Sequence, residues 1–555
     1  MNYQSKRGRE ALKKLPLGIQ NFREVIEDNH VYVDKTMYIH QLINNGKCYF
    51  LSRPRRFGKS LLLDTIAEVF RGNKELFKGL WIYESDYGFR SHPVIKLDMS
   101  NISSKSPDIF ERSLLEELQY NLQREDISAS GGAPPDLFKQ LIRGLHNKHN
   151  QKVVVLIDEY DKPILDHITK YATAEANRTI LRDFYGILKS LDSCIKFIFF
   201  TGVSKFTKTS TFSSLNNLSD ITMQEDYANI CGIPVDDLDL HFGDRIRSLA
   251  DHKNLKHYPS LRDAILKWYD GYSWDGETKL LNPFGLLSFF QMKQLKSFWY
   301  ASGSPKFLID LIMSRPESVT DFDNLTISET ALDAIDIRNL EIGSLLFQTG
   351  YLTVLKAIPP EPDFGIPPAY LLEIPNLEVR DAFFKQLTAG LVEKEYIFAE
   401  NAYWQIHKAL RAGDLQSVLN MLKSLFSSIP NQLHINMEAY YHSIFFAAMN
   451  VLGFKIEAEV SVSRGRIDAA LELEDKAYVF EFKYENCPPD ADEDTRKKIF
   501  DKTLELGMKQ IKDRGYADKY IGSGKTVYLA AFAFLGRDNV EMLSSVLPPG
   551  EQEKA

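Results

Sequence analysis

The order of apolar and polar positions sorts the first 240 residues into two kinds of segment. Short, nearly unbroken apolar runs occur at CYFLS (48–52), HPVIKLDMS (92–100), QKVVVLIDEYD (151–161) and IKFIFFTGVS (195–204). Their length and content suit strands covered on both faces. Between them lie stretches with helical spacing, the clearest being LLLDTIAEVFR (61–71). Strands alternating with helices predict an α/β doubly wound domain over about 15–240.

Beyond that point the pattern changes three times. From about 241 to 390 it is mostly helical, then offers two strand-like pieces, GYLTVLKA and YLLEIPN, around the proline-rich IPPEPDFGIPP. Helix followed by two strands about a loop resembles a small winged-helix lid; packing against the first domain is its expected role and direct DNA contact the alternative, since no basic recognition-helix cluster is visible. Residues 391–430 read as a helical connector. The last part, 431–545, opens with the helix MEAYYHSIFFAAMNVLGF and continues into the strand pair GRIDAALELEDKAYVFEFKYE, a second α/β domain.

Chemistry enters where the first strand meets the first helix. RPRRFGKS (53–60) places Gly58, Lys59 and Ser60 at a helix start, whose free N–H groups make a phosphate seat. Lys59 is placed to reach the terminal phosphates of ATP and Ser60 to ligate Mg²⁺, with Arg55, Arg56, Phe57 and Leu61 completing the contact set. The usual G-x-x-x-x-G-K-[ST] pattern has Gly where this chain has Arg53, so the first tight turn of the loop is expected to force a residue that disfavours positive φ. A second copy, Gly522-Ser523-Gly524-Lys525-Thr526, leads into the apolar run VYLAAFAFL and reads as a helix-to-strand turn with no helix behind it.

The run QKVVVLIDEYD ends in paired carboxylates. Asp158 is placed to hold the Mg²⁺ shell and Glu159 to activate the attacking water. A strand between the two motifs and another after them look like the ASCE division of P-loop ATPases, which implies a polar γ-phosphate sensor at Thr201 or Ser204.

In the last domain, Asp468 follows the Gly465-Arg466 turn, and Glu481 and Lys483 stand two apart on the next strand. Strand alternation puts Glu481 and Lys483 on one face and Phe480 and Phe482 on the other. Two carboxylates and an ammonium suit metal-dependent phosphodiester cleavage, with Asp468 and Glu481 as Mg²⁺ ligands and Lys483 orienting water or neutralising developing charge. Glu438 is a candidate for the outer shell. The competing reading is an ordinary Glu–Lys strand salt bridge, which an apolar strand makes costly without a partner.

YVDKTMYIHQLI, RPRRFGKS, LIDEYDKPILD and FTGVSKF with FSSLNNLSDIT resemble the AAA-ATPase-like family of bacterial proteins, itself similar to STAND-type ATPases. GRIDAALE, VFEFKYE and GMKQIKDRGYADKY resemble the PD-(D/E)XK nuclease domain that ends such chains, and WYDGYSW, LNPFGLL, GYLTVL and IPNLEVRDAF fit the same family. The resemblance implies that Lys59, Ser60, Asp158 and Glu159 are ATPase residues, that Asp468, Glu481 and Lys483 are the nuclease set, and that Gln510 and Tyr516 support them. It also implies that Arg at position 53 is tolerated. Ile467 stands where the superfamily name has Pro.

Composition narrows the partners. A net charge of −8 gives no global attraction to nucleic acid, so contact with DNA must be local. Four scattered cysteines without a C-x-x-C pair, and no signal-peptide-like or membrane-length apolar run, predict a cytoplasmic protein with reduced thiols and no membrane association. The leading expectation is an ATP-controlled, Mg²⁺-dependent nuclease acting on DNA. The alternative is an ATP-dependent switch or scaffold whose nuclease-like domain only binds, answering to an activating partner. A third and weakest reading, a translocase, requires a homo-oligomer in which an arginine such as Arg55 or Arg56 acts in trans.

Overall fold

A computed structural model describes residues 12–206, 215, 217–299, 325–332, 340–360, 365–392, 396–426, 456–462, 465–488, 491–515, 517–520, 523–535 and 539–549. The chain divides into two compact units, Met1–Gly303 with Asn324–Glu378, and Ser304–Asp323 with Val379–Ala555. The expected helix at 437–454 that carries Glu438, and the supporting Tyr516, lie outside the described residues.

The first unit is built on a parallel sheet of β1 (Cys48–Ser52), β2 (Val94–Asp98), β3 (Val153–Asp158), β4 (Ile195–Gly202) and β5 (Ser219–Asp220), in the order β2-β3-β4-β1-β5. β1 and β3 are buried at every position, whereas the edge strand β2 alternates, as half-covered edges do. β4 is inserted between β1 and β3, so the strands leading to the phosphate loop and to the paired carboxylates flank the strand that ends at Thr201 and Gly202. This strand order is like that of P-loop ATPases. Helices Pro107–Arg124, Pro134–His149 and Tyr171–Ser190 pack on one another, the last two through stacked Phe138 and Phe184 rings 4.6 Å apart, and Tyr185 of the last meets Phe200 of β4 edge-on.

Next come β6 (Ile233–Pro234) and β7 (Leu280–Leu281), a short antiparallel pair. Helices Val235–Leu249, Leu261–Tyr269 and Pro283–Met292 share an apolar core that includes Leu238, Phe242, Ile265 and Phe289. A separate antiparallel sheet of β8 (Leu325–Ser328), β9 (Thr353–Ile358) and β10 (Ala369–Glu373), ordered β8-β10-β9, follows the pattern expected of GYLTVLKA and YLLEIPN, with the helix Ile342–Thr349 before β9.

The second unit contains the expected helical pair, Tyr396–Ala412 and Leu415–Phe426. It also holds the sheet β11 (Ile456–Val462), β12 (Gly465–Glu472), β13 (Lys476–Glu485), β14 (Thr526–Leu535) and β15 (Asn539–Leu547), in sequential order. β13 and β14 run parallel, joined by the crossover helix Glu493–Asp513; the other neighbours are antiparallel. Among the described residues no helix is long and apolar enough to cross a membrane.

Candidate functional site

The phosphate loop solves its turn differently from the expectation set by Arg53. The positive φ values fall at Arg56 (64°) and at Gly58 (93°), the residue before the helix Lys59–Arg71, and Arg53 is not among the left-handed residues. The expectation of strain at Arg53 is therefore corrected. Its side chain is fully buried, and the guanidinium donates to the carbonyls of Ser52 (2.9 Å), Thr222 (2.9 Å) and Tyr227 (3.3 Å). It also lies 3.9 Å over the Trp274 ring. Burial pulls its pKa down to about 10, against the pull of Cys231, Asp220 and Asp275. Arg53 is thus a buried strut beneath the loop, a role that a glycine could not fill.

Lys59 starts the helix and folds back over the loop, its Nζ donating to the carbonyls of Arg53 and Pro54, both at 2.9 Å. Burial lowers its pKa, opposed by Asp158, Glu159 and Asp161. These neutral acceptors are weaker partners for an ammonium than phosphate oxygens, so the side chain is stored close to where an anion would draw it.

Asp158, buried at the end of β3, accepts on Oδ1 from the Thr201 hydroxyl and from Glu159 N (3.0 Å). Both bonds fall on Oδ1, so Asp158 Oδ2 and the Ser60 hydroxyl are the hard oxygens that would hold Mg²⁺. Glu159 has a left-handed backbone (φ 48°), and burial raises its pKa, which suits a proton acceptor. Thr201 thus meets the acidic strand end through its hydroxyl. Ser204, also buried, donates N–H to Asp161 Oδ2 (2.6 Å) and accepts from the Tyr160 hydroxyl (2.9 Å).

A cavity of about 450 Å³ opens at the loop. Arg55, Arg56, Phe57, Gly58, Lys59, Ser60, Leu61 and Glu159 line it, while Asp158 and Thr201 are buried outside its lining. Its apolar wall comes from places that the motif reading passed over: Leu17, Val31, Ile233, Phe242 and Leu287. Lys35 lines the same wall, within the YVDKT segment. Only that segment carried a signal, an apolar VYV run closed by Asp-Lys.

In the second unit Asp468 Oδ2 accepts from Phe482 N at 2.8 Å, and Lys483 Nζ donates to Glu481 Oε1 at 2.9 Å and to Phe482 O at 3.0 Å. Extending the Ala469↔Phe480 pairing by one step sets Asp468 opposite Glu481, beside the Phe482 N–H that Asp468 accepts from. The two faces divide as alternation requires. Phe480 and Phe482 lie against Phe532, and a Cβ on Gly507 of the crossover helix would sit 3.6 Å from Lys483 Cγ and 3.9 Å from Glu481 Cγ. Gln510 lies one turn further along that helix and is half-buried. Among the described residues no group of three or more His, Cys, Asp or Glu is arranged to hold a metal. Mg²⁺ commonly takes one or two carboxylates plus water and phosphate, so Asp468 with Glu481 is a sufficient protein contribution.

The GSGKT copy behaves as a turn. Lys525 Nζ bonds Glu472 Oε1 (2.6 Å) and Leu473 O (2.7 Å), and β14 begins at Thr526 with no helix behind it.

Comparison with known proteins accords with this geometry. A family model for a predicted AAA-ATPase matches residues 16–212, and one for the PD-(D/E)XK nuclease superfamily matches 436–542. An uncharacterized protein in the vnfD 5′ region of Azotobacter chroococcum mcd 1 is 35% identical over 542 residues, covering 96% of this chain and 99% of that protein. The ORC2 protein of Aeropyrum pernix, solved in ADPNP–ADP complexes, aligns at 11% identity over 64% of this chain and 93% of its own, with a TM-score of 0.23 too low to carry weight. With a relative similar along nearly its whole length and both domain models matched in order, this chain belongs to the AAA-ATPase-like family and carries a PD-(D/E)XK nuclease-superfamily domain after its predicted AAA-ATPase domain.

Proposed function

We propose that the first unit binds and hydrolyses ATP with Mg²⁺, and that its nucleotide state governs Mg²⁺-dependent cleavage of DNA by the PD-(D/E)XK domain. The observation that carries the ATPase half is the cavity in which the Gly58–Ser60 helix start, Lys59 and Glu159 face one space beside an apolar wall. In this reading Lys59 exchanges its two carbonyl acceptors for phosphate oxygens, Asp158 and Ser60 hold the metal, and Glu159 takes a proton from water. Bound Mg²⁺ supplies charge neutralisation at the transferring phosphoryl group. In the second unit Asp468 and Glu481 hold metal, and Lys483 stabilises charge developing on the scissile phosphate. The winged-helix-like region 241–390 and the helices of 391–430 are proposed to relay the nucleotide state. DNA and an activating partner are the proposed ligands of the whole chain.

One observation favours the alternative, a nucleotide-dependent switch with a binding-only nuclease fold. The Glu481 side chain is fully buried and ion-paired to Lys483, as a structural salt bridge would be. Comparing Asp468→Ala with wild type on plasmid DNA decides between the two. Loss of Mg²⁺-dependent cutting in the variant supports the nuclease, and equal cutting, or none in any nucleotide state, rejects it.

A further inference from the structure

Lys35 is a largely buried lysine for whose ammonium the described residues provide no acceptor. It is 9% exposed and precedes the helix Thr36–Asn45, whose first turn holds its backbone through Tyr38 N and Ile39 N donating to Lys35 O at 3.1 and 3.4 Å. Among the described residues its ammonium makes no hydrogen bond or ion pair. The neighbouring carboxylate, Asp34, is committed elsewhere: Oδ1 accepts from Thr36 N at 2.8 Å and Oδ2 from Trp81 N at 2.6 Å. Asp237, the other acidic group that pulls on Lys35, stands 3.9 Å from His241 Nε2. The ammonium belongs to the lining of the cavity, where water or an acceptor on a ligand can satisfy its three donors, and a ligand atom there would form a charge-assisted bond.

The lining of the cavity says which part of a ligand that is. The phosphate seat at Gly58–Ser60 already has Lys59, Arg55 and Arg56 beside it. Lys35 comes from a different stretch of the lining, with Val31, Tyr32 and Val33, and Cys231 lies within electrostatic reach of both Lys35 and Lys59. A flat apolar ring packed against Val31 and Val33 would bring ring or ribose acceptors towards Lys35 rather than towards the helix start at Gly58–Ser60.

We propose that Lys35 is a nucleotide ligand that donates to an acceptor on the nucleoside half, a ring nitrogen or a ribose oxygen. The proposal rests on the ATP-binding reading above and adds to it a residue outside the phosphate loop. Burial also lowers the Lys35 pKa to about 8, as expected where the apo protein offers no counter-charge in contact.

Calorimetric titration of the full chain with Mg²⁺-ATP and with Mg²⁺-tripolyphosphate tests this, using wild type, Lys59→Ala, Lys35→Met and Lys35→Arg. The expected result is about a tenfold rise in the ATP Kd of Lys35→Met, the loss of one charge-assisted bond. Tripolyphosphate binding should change less than twofold, Lys35→Arg should recover part of the loss, and the nucleotide-free melting temperature of Lys35→Met should equal or exceed that of wild type. Unchanged ATP affinity with a lower melting temperature would make Lys35 structural and overturn the proposal. An equal loss for tripolyphosphate would overturn its assignment to the nucleoside half. Should Lys35→Met fail to fold, Lys35→Gln is read by the same criteria. Failure of wild type to bind ATP, or binding indifferent to Lys59→Ala, would instead remove the reading on which the proposal rests.

Discussion

The indole of Trp299 donates its Nε1–H to the backbone carbonyl of Arg55 at 3.0 Å. Trp299 packs edge-on against Tyr351, 5.3 Å between centroids, and Gly350 comes so close to Pro54 that a Cβ there would sit 2.6 Å from Pro54 Cβ. The phosphate loop, lacking the usual first glycine, is therefore fixed from outside by residues some 250–300 positions later in the chain. Replacing Trp299 by Phe keeps the packing and removes one bond, worth about 1 kcal/mol. The Kd for ATP is expected to rise about fivefold with little change in melting temperature, as read by calorimetric titration.

Restoring the common glycine should do harm. Arg53→Gly removes a fully buried side chain, leaves three carbonyls without their donor and uncovers the face of Trp274. A loss of about 3–5 kcal/mol is expected in urea unfolding of the nucleotide-free protein. Arg53→Lys should recover only part, because an ammonium cannot reproduce the planar fork over the indole.

Glu159 and Thr201 should separate binding from turnover. Glu159→Gln removes the base and is expected to leave ATP bound but turned over at least a hundredfold more slowly. Thr201→Val frees Asp158 Oδ1 of its hydroxyl partner, and about a tenfold fall in kcat is expected with ATP affinity within threefold of wild type. Steady-state phosphate release with a filter-binding assay reads both.

Asp161 gives the fold a pH dependence. Its carboxylate accepts from Val203 N (3.0 Å) and Ser204 N (2.6 Å), yet burial raises its pKa to about 7 from 3.8. Between those values the folded protein keeps a proton that the unfolded chain has released. Stability therefore falls as pH rises through that window, by at most about 4 kcal/mol, and levels off above pH 7. Asp161→Asn keeps an acceptor for the two amides and should flatten the slope. Unfolding midpoints of wild type and variant from pH 4 to pH 8, without nucleotide, give the comparison.

The parts of this molecule that were readable from sequence are those whose physics is local. An apolar run followed by Gly58-Lys59-Ser60 and a 3.6-residue period suffices to place a strand, a phosphate seat and a helix, and alternation along Tyr478–Lys483 suffices to set Glu481 and Lys483 opposite the phenylalanines. What was not readable depends on distant chain segments. Arg53 looked like a defect because its partners, Thr222, Tyr227 and Trp274, are about 170 to 220 residues away. The rest of the apolar cavity wall is hidden for the same reason: Leu17, Ile233 and Leu287 carry no motif and become a surface only when the sheet and its following helices assemble. Strand position alone offers Thr201 or Ser204 as the sensor, and it does not reveal that Asp161 and Tyr160 hold the Ser204 backbone.

The measurement that bears most directly on the central claim is cleavage of plasmid and linear DNA by the purified chain with Mg²⁺, compared without nucleotide, with ATP and with a non-hydrolysable analogue, for wild type and Lys483→Ala. The account predicts cleavage by wild type that changes at least tenfold between nucleotide states and disappears in Lys483→Ala. Cleavage indifferent to nucleotide, or robust ATP hydrolysis with no cleavage in any state, would contradict it.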